Sequence, residues 1–365
     1  RNMKLSTSNS VVYTARQLMR LGDGPAGLFQ AALHTPTFQP VFNSDGSYNK
    51  PVSFDNHQAI LDNWDGGSDN FRVTNSLSLN WDISGELSLK ASANNDRTYY
   101  HEMFYYNTNL IYGQPDGTGV EGSTTSNIFS TEGLLNYMHT FGNVLNFAGF
   151  FGLSYQHSKT DYTYMRGEGY PSNQLKRITS SAVQTADASG TSSALASIFG
   201  GVNLMYDNRY SIDFTIRADG SSRVGRNNRF GYFPAVGVSW NVMNEKFFPV
   251  NDYVNSLRLK ASIGLGGNEN IGDFASLSLW QGGANYNGRA GMAPEQLGNP
   301  DLKWETTRQW NVGLTTSLFK EHIDLELNYY NKYTYDLLLP KAVPGKTGFT
   351  SIVDNSGEIS NRGIE

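Results

Sequence analysis

From residue 209 to residue 219 apolar and polar side chains alternate without a break. Tyr210, Ile212, Phe214, Ile216 and Ala218 share one parity; Ser211, Asp213, Thr215, Arg217 and Asp219 share the other. Successive side chains of a strand point to opposite faces, so this segment predicts a sheet with one oily and one wet face. The run before it, 194–206, carries Ala196, Ile198, Val202 and Leu204 in the same phase, and Asp207-Asn208 predicts a tight two-residue turn between them. Such a hairpin has two homes. In a soluble sandwich the oily face meets a second sheet; in a membrane barrel it meets hydrocarbon while the wet face lines a lumen.

The arrangement repeats. Residues 71–81 turn through 82–85 into Leu87, Leu89, Ala91 and Ala93, and residues 129–141 turn at Gly142-Asn143 into Leu145, Phe147, Phe151, Leu153 and Tyr155. Residues 310–318 turn around Lys320-Glu321 into Ile323, Leu325, Leu327 and Tyr329. Residues 231–240 reach Leu257, Leu259, Ala261 and Ile263 through a linker holding Phe247, Phe248 and Pro249. The first strand of each pair ends in a large hydrophobic residue: Trp81, Phe141, Tyr206, Trp240 and Phe319. The first four keep the phase of their own run, and Phe319 is one residue out of step. A strand leaving hydrocarbon changes to an aromatic at headgroup level, where a ring is half dry and half wet. Trp81, Phe141, Tyr206 and Trp240 are therefore expected at a membrane interface. The connections at the other strand ends, 107–126, 157–193, 220–229, 264–303 and 340–355, are long and polar. Short turns at one end and long loops at the other are the asymmetry of an outer-membrane barrel, long loops extracellular; roughly ten to twelve strands are expected, in a class that reaches about twenty-six.

Membrane helices are excluded, since no apolar stretch approaches the ~20 residues one needs, and the strongest candidate, 146–155, is broken by Gly149 and Gly152. The mean hydropathy of −0.44 would ordinarily indicate a soluble chain. Lipid meets only every second residue of a barrel strand, however, so a barrel's average stays low. With no Cys, neither disulfides nor thiolate metal sites are available. A net charge of −5 argues against nucleic acid as the partner. The expected organisation is an all-β, partial antiparallel transmembrane β-barrel over 71–365, preceded by an extracellular insertion over 1–70 with short helices at 13–21 and 25–33. The chain opens at Arg1 without a leader and stops at Glu365 just after a strand begins, so it is expected to be the middle of a longer protein.

Several ordered blocks resemble the SusC/RagA family of TonB-linked outer-membrane proteins of Bacteroidetes. They are Arg217-Ala218-Asp219-Gly220-Ser221-Ser222-Arg223, Asn228-Arg229-Phe230-Gly231-Tyr232-Phe233-Pro234, Leu257-Arg258-Leu259-Lys260-Ala261-Ser262 and, most tellingly, Leu297-Gly298-Asn299-Pro300-Asp301-Leu302-Lys303-Trp304-Glu305. The blocks fill 200–365, and the match before 200 is looser. The resemblance implies TonB-driven import of oligosaccharides or peptides, with a SusD-like surface lipoprotein as lid and TonB contacted through an N-terminal part that has no counterpart here. It also implies a plug and final strands that these residues do not contain.

Candidate sites follow from residue chemistry. Tyr105, Tyr106, Tyr112, Trp280 and Tyr286, with Tyr99 and Tyr100, place rings near the loop side, where aromatic faces stack on sugars or peptides; packing between loops, or a place in the outer girdle, is the plainer role for any one of them. Asp213, Arg217, Asp324 and Glu326 are expected to face the lumen. No cofactor is expected. Asp62, Asn63, Asp65 and Asp69 offer oxygen ligands suited to Ca²⁺, although a solvated Gly-rich loop explains them more simply. Residues 117–122 fit G-x-G-x-x-G but lack the strand before and the helix after that a pyrophosphate needs, and read as a flexible loop. The six His are scattered with no i, i+4 pair for zinc, and His139 suits an interface position near its turn. No Ser/His/Asp arrangement assembles, so an enzyme is not expected. The alternatives are a passive outer-membrane barrel acting as adhesin or anchor, and a soluble carbohydrate-binding β-protein.

Overall fold

A computed structural model describes residues 2–17, 27–49, 54–142, 144–248 and 253–365. In chain order the strands are β1 (Met3–Gln17), β2 (Trp64–Asp82), β3 (Leu87–Tyr106), β4 (Thr118–Phe141), β5 (Leu145–Glu168), β6 (Val183–Tyr206), β7 (Tyr210–Ser221) and β8 (Phe230–Asn241). They continue as β9 (Val254–Asn268), β10 (Leu279–Gly282), β11 (Met292–Gln296), β12 (Glu305–Leu318), β13 (Ile323–Tyr335), β14 (Leu338–Ala342), β15 (Ser351–Asn355) and β16 (Glu358–Ile364). Twelve form one sheet in the order β1-β2-β3-β4-β5-β6-β7-β8-β9-β12-β13-β16, every pair antiparallel. The hairpins β10–β11 and β14–β15 stand apart as arms on two of the long connections. Among the described residues β1 and β16 are the sheet's edges and do not pair with each other.

Connection length sorts by end as expected, with 242–253 as the exception among the short turns. One end carries 83–86, 142–144, 207–209, 242–253 and 319–322; the other carries 18–63, 107–117, 169–182, 222–229, 269–304 and 336–357. Asp207 and Asn208 take φ of 51° and 52°, and the Arg209 amide donates to the Tyr206 carbonyl at 2.9 Å. Asp and Asn tolerate the left-handed region that a primed hairpin turn demands. Phe319 lies in the turn itself at φ 55°, with its ring edge-on to Tyr253 at 6.2 Å, which is why it falls out of phase. Asn143 and Pro249, expected in two of the turns, lie outside the described residues.

The sheet has one layer. Ile212, Phe214 and Ile216 are 48%, 46% and 46% exposed, and among the described residues no element packs over them. A soluble sandwich would seal these side chains; here they form an uncovered apolar face. The register extends that face across the strands, pairing Leu204 with Ile212, Ile212 with Val238, Val238 with Ala261, and Ala261 with Val312. Along β5 it runs from Leu145 to Tyr155 and then turns polar at His157, Lys159 and Asp161; along β7 it runs from Tyr210 to Ala218. Each apolar stretch is thus about nine to eleven residues, the length a tilted strand needs to cross hydrocarbon.

Three strands are far longer than that, since β4, β5 and β6 have 24 residues each. Beyond the apolar stretch water wets both faces, so alternation stops while the backbone ladder continues. This corrects two expected loops: the connections are 107–117 and 169–182, and the rest of 107–126 and 157–193 is strand. The same ladder corrects the reading of 1–70 as one insertion. Residues 3–17 are a wall strand paired with β2, so the helix expected at 13–21 is strand as far as Gln17, and its remainder lies outside the described residues. The helix expected at 25–33 is α1 (Leu28–His34), joined by α2 (His57–Asn63).

In a bilayer, Phe214→Arg in the full-length protein should destabilise the folded barrel by roughly 2–4 kcal/mol, whereas Thr215→Arg on the wet face should cost little. Reversible denaturant unfolding in lipid vesicles measures both; equal effects would contradict the assignment of faces.

Candidate functional site: a polar wall and its loop caps

The face opposite Ile212 is polar and paired. The register runs Asp213, Gly237, Ser262, Asn311, Tyr330 across β7, β8, β9, β12 and β13, so Asp213, Arg217, Asp324 and Glu326 all lie on it. Arg217 Nε donates to both Asp219 carboxylate oxygens at 2.6 and 2.8 Å, Arg217 Nη2 to Ser197 Oγ at 2.7 Å, and the guanidinium covers the Phe199 ring at 5.1 Å. Asp213 accepts from Asn203 Nδ2, and Asp324 from Ser317 Oγ at 2.6 Å. Glu326 accepts from Lys260 Nζ and from Asn328 Nδ2, the latter at 3.0 Å. Asp213, Lys260, Asn311, Asn328, Tyr330 and Lys332 line one shallow concavity there. Solvent screens pairs of this kind, so they make a wettable surface more than they hold the sheet together.

Trp81, Phe141 and Tyr206 lie exposed on the oily face beside the short turns. Trp240 stacks on Tyr210, centroids 6.5 Å apart and planes 14° apart. Trp240 Nε1 donates to Glu245 Oε1 at 3.0 Å, and the Tyr210 hydroxyl donates to the same carboxylate. These bonds hold the Glu245 carboxyl below its usual range. The ring bodies therefore sit toward lipid while their polar tips gather on one anion at the turn. His139 keeps the same company, between Tyr137 and Phe141, with Nδ1 2.7 Å from Glu86 Oε1.

An outer girdle, the alternative place for the loop-side tyrosines, stands opposite the basal one. Tyr13, Phe71 and Tyr99 fall on one cross-strand row at the far edge of the apolar face, and Tyr155, Tyr232 and Phe230 lie at the same edge on β5 and β8. Its signal was an aromatic of matching parity about ten residues from the basal one, as Phe71 is from Trp81. Tyr99 thus lies exposed on the oily face, while Tyr100 points the other way and donates to Glu102 at 3.2 Å.

Two caps close the long-loop end. In the first, α1 and α2 pack on β3, with Ala31, Ala59, Ile60, Phe104, Tyr106 and Leu110 as its core. Asp55, fully buried, accepts from the Ile111 amide at 2.8 and 3.1 Å. Tyr105 and Tyr106 are only 1% and 6% exposed, so neither offers a face to a ligand. Tyr105 meets Tyr170 edge-on at 5.1 Å and donates to Asn173 at 3.0 Å; burial raises the pKa of both phenols. Tyr106 meets Tyr112 edge-on at 5.8 Å, leaving Tyr112 exposed. Residues 117–122 are not a loop, because β4 begins at Thr118. Gly119 gives way to Tyr170, whose hydroxyl would stand 2.2 Å from a Cβ there. Asp62, Asn63, Asp65 and Asp69 do not share a loop either. Asp62 and Asn63 end α2, Asp65 and Asp69 lie on β2, and the carboxylates serve Tyr48 and Gln58, Lys176, and Tyr13 respectively.

The second cap is built from the blocks that carried the resemblance. Leu302 and Val224 are buried, the Gly225 amide donates to the Leu302 carbonyl at 2.9 Å, and a Cβ on Gly225 would lie 2.2 Å from the Pro300 oxygen. Trp304 Nε1 donates to the Arg229 carbonyl at 3.0 Å while its ring meets Phe233 at 5.5 Å. Arg223 Nε donates to Asp273 at 2.8 Å, and Nη1 lies 3.9 Å from Glu269. Burial raises the Glu269 pKa. From this cap the β10–β11 arm projects, with Trp280 and Tyr286 63% and 85% exposed. The expected aromatic cluster is thus divided: two rings are cap core, one lies at the edge of a cap, and two stand on a free arm.

Comparison with known proteins places this geometry. Residues 13–365 match the family model described as TonB dependent receptor-like, beta-barrel. The chain is 36% identical over 250 residues to TonB-dependent receptor P39 of Formosa agariphila, covering 68% of this chain and 24% of that protein. It is 35% identical over 190 residues to TonB-dependent receptor SusC of Bacteroides thetaiotaomicron, covering 50% of this chain and 19% of that one. The solved structure of the RagAB peptide transporter superposes with a TM-score of 0.86 at 24% identity, over 99% of this chain and 42% of that one. The chain spans about a quarter or less of the length of these two curated relatives.

A carboxyl whose folded-state pKa is raised contributes stability that is full below its ordinary pKa and lost as pH rises through the folded value. The second cap should therefore loosen as pH rises above the ordinary glutamate range, seen as lost amide-exchange protection over 269–276. Glu269→Gln should flatten that dependence; an unchanged profile in the variant would assign it elsewhere.

Proposed function

Because the chain belongs to the TonB-dependent receptor-like β-barrel family of the bacterial outer membrane, we propose that it forms part of the wall of an importer carrying oligosaccharides or peptides across that membrane. The observation that carries this reading is the one-layer sheet, uncovered and apolar on one face, polar and ion-paired on the other. Such a sheet separates hydrocarbon from water and does nothing as a soluble body. The edges β1 and β16 are where the rest of a closed barrel would join.

The long-loop end is extracellular in this reading, and a SusD-like lipoprotein covers it. The likeness to SusC supports that partner, and the fold shared with the RagAB peptide transporter is consistent with a peptide as cargo, an oligosaccharide being the other class that the sequence resemblance implies. TonB acts through a part of the full protein outside these residues. The family is one of transporters and receptors, not enzymes. Trp280 and Tyr286, on the free arm, are the rings best placed to meet cargo, with Tyr112 at the edge of the first cap. Asp213, Arg217, Asp324 and Glu326 line the lumen, where they wet the wall and can bond to a plug.

Deleting the full gene should abolish growth on at least one polymeric glycan or on peptides as sole source; undiminished growth on all of them would refute import. In the full-length protein, Trp280→Ala with Tyr286→Ala should weaken capture of that cargo by about 1 kcal/mol per lost stacking contact, read by calorimetry on the purified complex.

A further inference from the structure

On the outward face of β2 and β3 a groove is lined by Phe71, Val73, Asn75, Asn95, Arg97 and Tyr99. The six form three directly opposed pairs, Phe71 with Tyr99, Val73 with Arg97, and Asn75 with Asn95. Counted from Leu87 at the short-turn end, Arg97 lies at the far edge of the apolar stretch, within the second aromatic girdle. Below it the face is cut away: Ala93 and Ala91 follow on β3, and Ala91 is opposed on β4 by Gly133, which has open space around its Cβ position. Leu77 and Leu79 stand beside this trough on β2.

Arg97 is exposed and has no hydrogen bond or ion pair with any described residue. On the wet face Arg72 is matched by Asp96 and Arg217 by Asp219, and Arg258 donates to Asn241. The rows of the outward face around Arg97 hold Val73 and Asn127, Asn75 and Phe129, Phe71 and Thr125, with no carboxylate among them. Two strands away, Lys159 is satisfied by Asp161 at 3.0 Å. A guanidinium at the edge of hydrocarbon, flanked by rings and lacking a counter-ion, presents a fork of donors that matches phosphate. At that depth of a leaflet the available anion is a lipid headgroup, and the trough beneath suits an acyl chain.

We propose that this groove is a binding site for a phosphorylated membrane lipid, with its phosphate on Arg97 between Phe71 and Tyr99 and one acyl chain along Ala93 and Ala91. The assignment rests on the outward face meeting lipid; it does not depend on what, if anything, the barrel imports.

The test uses the full-length protein in detergent micelles, with native mass spectrometry against added phosphatidylglycerol and a chain-matched diacylglycerol. Wild type should bind the phosphatidyl lipid about tenfold more tightly than the diacylglycerol, the worth of one hydrogen-bonded charge. Arg97→Gln should lose that preference, Arg97→Lys should keep part of it, and Lys159→Gln should leave it intact. Inorganic phosphate at the same concentration should not displace the lipid. Equal occupancy in Arg97→Gln, equal binding of the diacylglycerol, displacement by inorganic phosphate, or no retained lipid would each overturn the site. A folded barrel that retains no lipid sinks this site alone, whereas failure of transport with lipid still bound sinks only the importer reading.

Discussion

A backbone crossing hydrocarbon must find every hydrogen bond within the protein, since no water is available to supply one. That requirement explains the plainness of the architecture. Each strand pairs with its neighbours in the chain, so the wall is a meander whose ladder needs no second layer. The two α-helices, the buried tyrosine pair Tyr105–Tyr170 and the buried carboxylate Asp55 all lie at the long-loop end, where water is present and an ordinary core has reason to form.

Solvent on either side then sets the side chains. Uncovered apolar residues such as Ile212 and Phe214 would be a liability in water and are the stable choice against lipid. The height of that face, about nine to eleven residues, is a property of the bilayer more than of the chain. This is why strands of very different length carry an apolar stretch of the same extent, and why aromatics appear at both of its edges. Where β4, β5 and β6 run on past the second girdle, they are ordinary sheet with water on both faces.

The two caps show how conspicuous motifs can serve architecture. The Gly298 to Trp304 segment and Arg223 pin long connections against one another through a close backbone approach, a buried Leu and an ion pair. Residues capable of stacking on a ligand are divided between cap interior and free arm by the same packing. Any recognition surface is therefore a small exposed remainder of a larger aromatic population.

The period-two alternation, the tight turns at Asp207-Asn208 and around Lys320-Glu321, and the basal aromatics were enough to read an antiparallel barrel wall and the faces of Asp213, Arg217, Asp324 and Glu326. These are local signals, since a strand's two faces are dictated by adjacent residues. Strand length beyond the membrane was not legible, because once both faces are wet nothing in the residues of 157–168 or 183–193 distinguishes strand from loop; only pairing with a neighbour does. Nor could the sequence separate Tyr105 and Tyr106 from Trp280 and Tyr286. All four are rings in polar connections, and burial is decided by which distant segment folds over them. What residue order alone determined was therefore the wall and its two solvents. What tertiary packing decided was where the wall ends, which aromatics remain free, and that Arg97 stands on the outward face with no partner among the described residues.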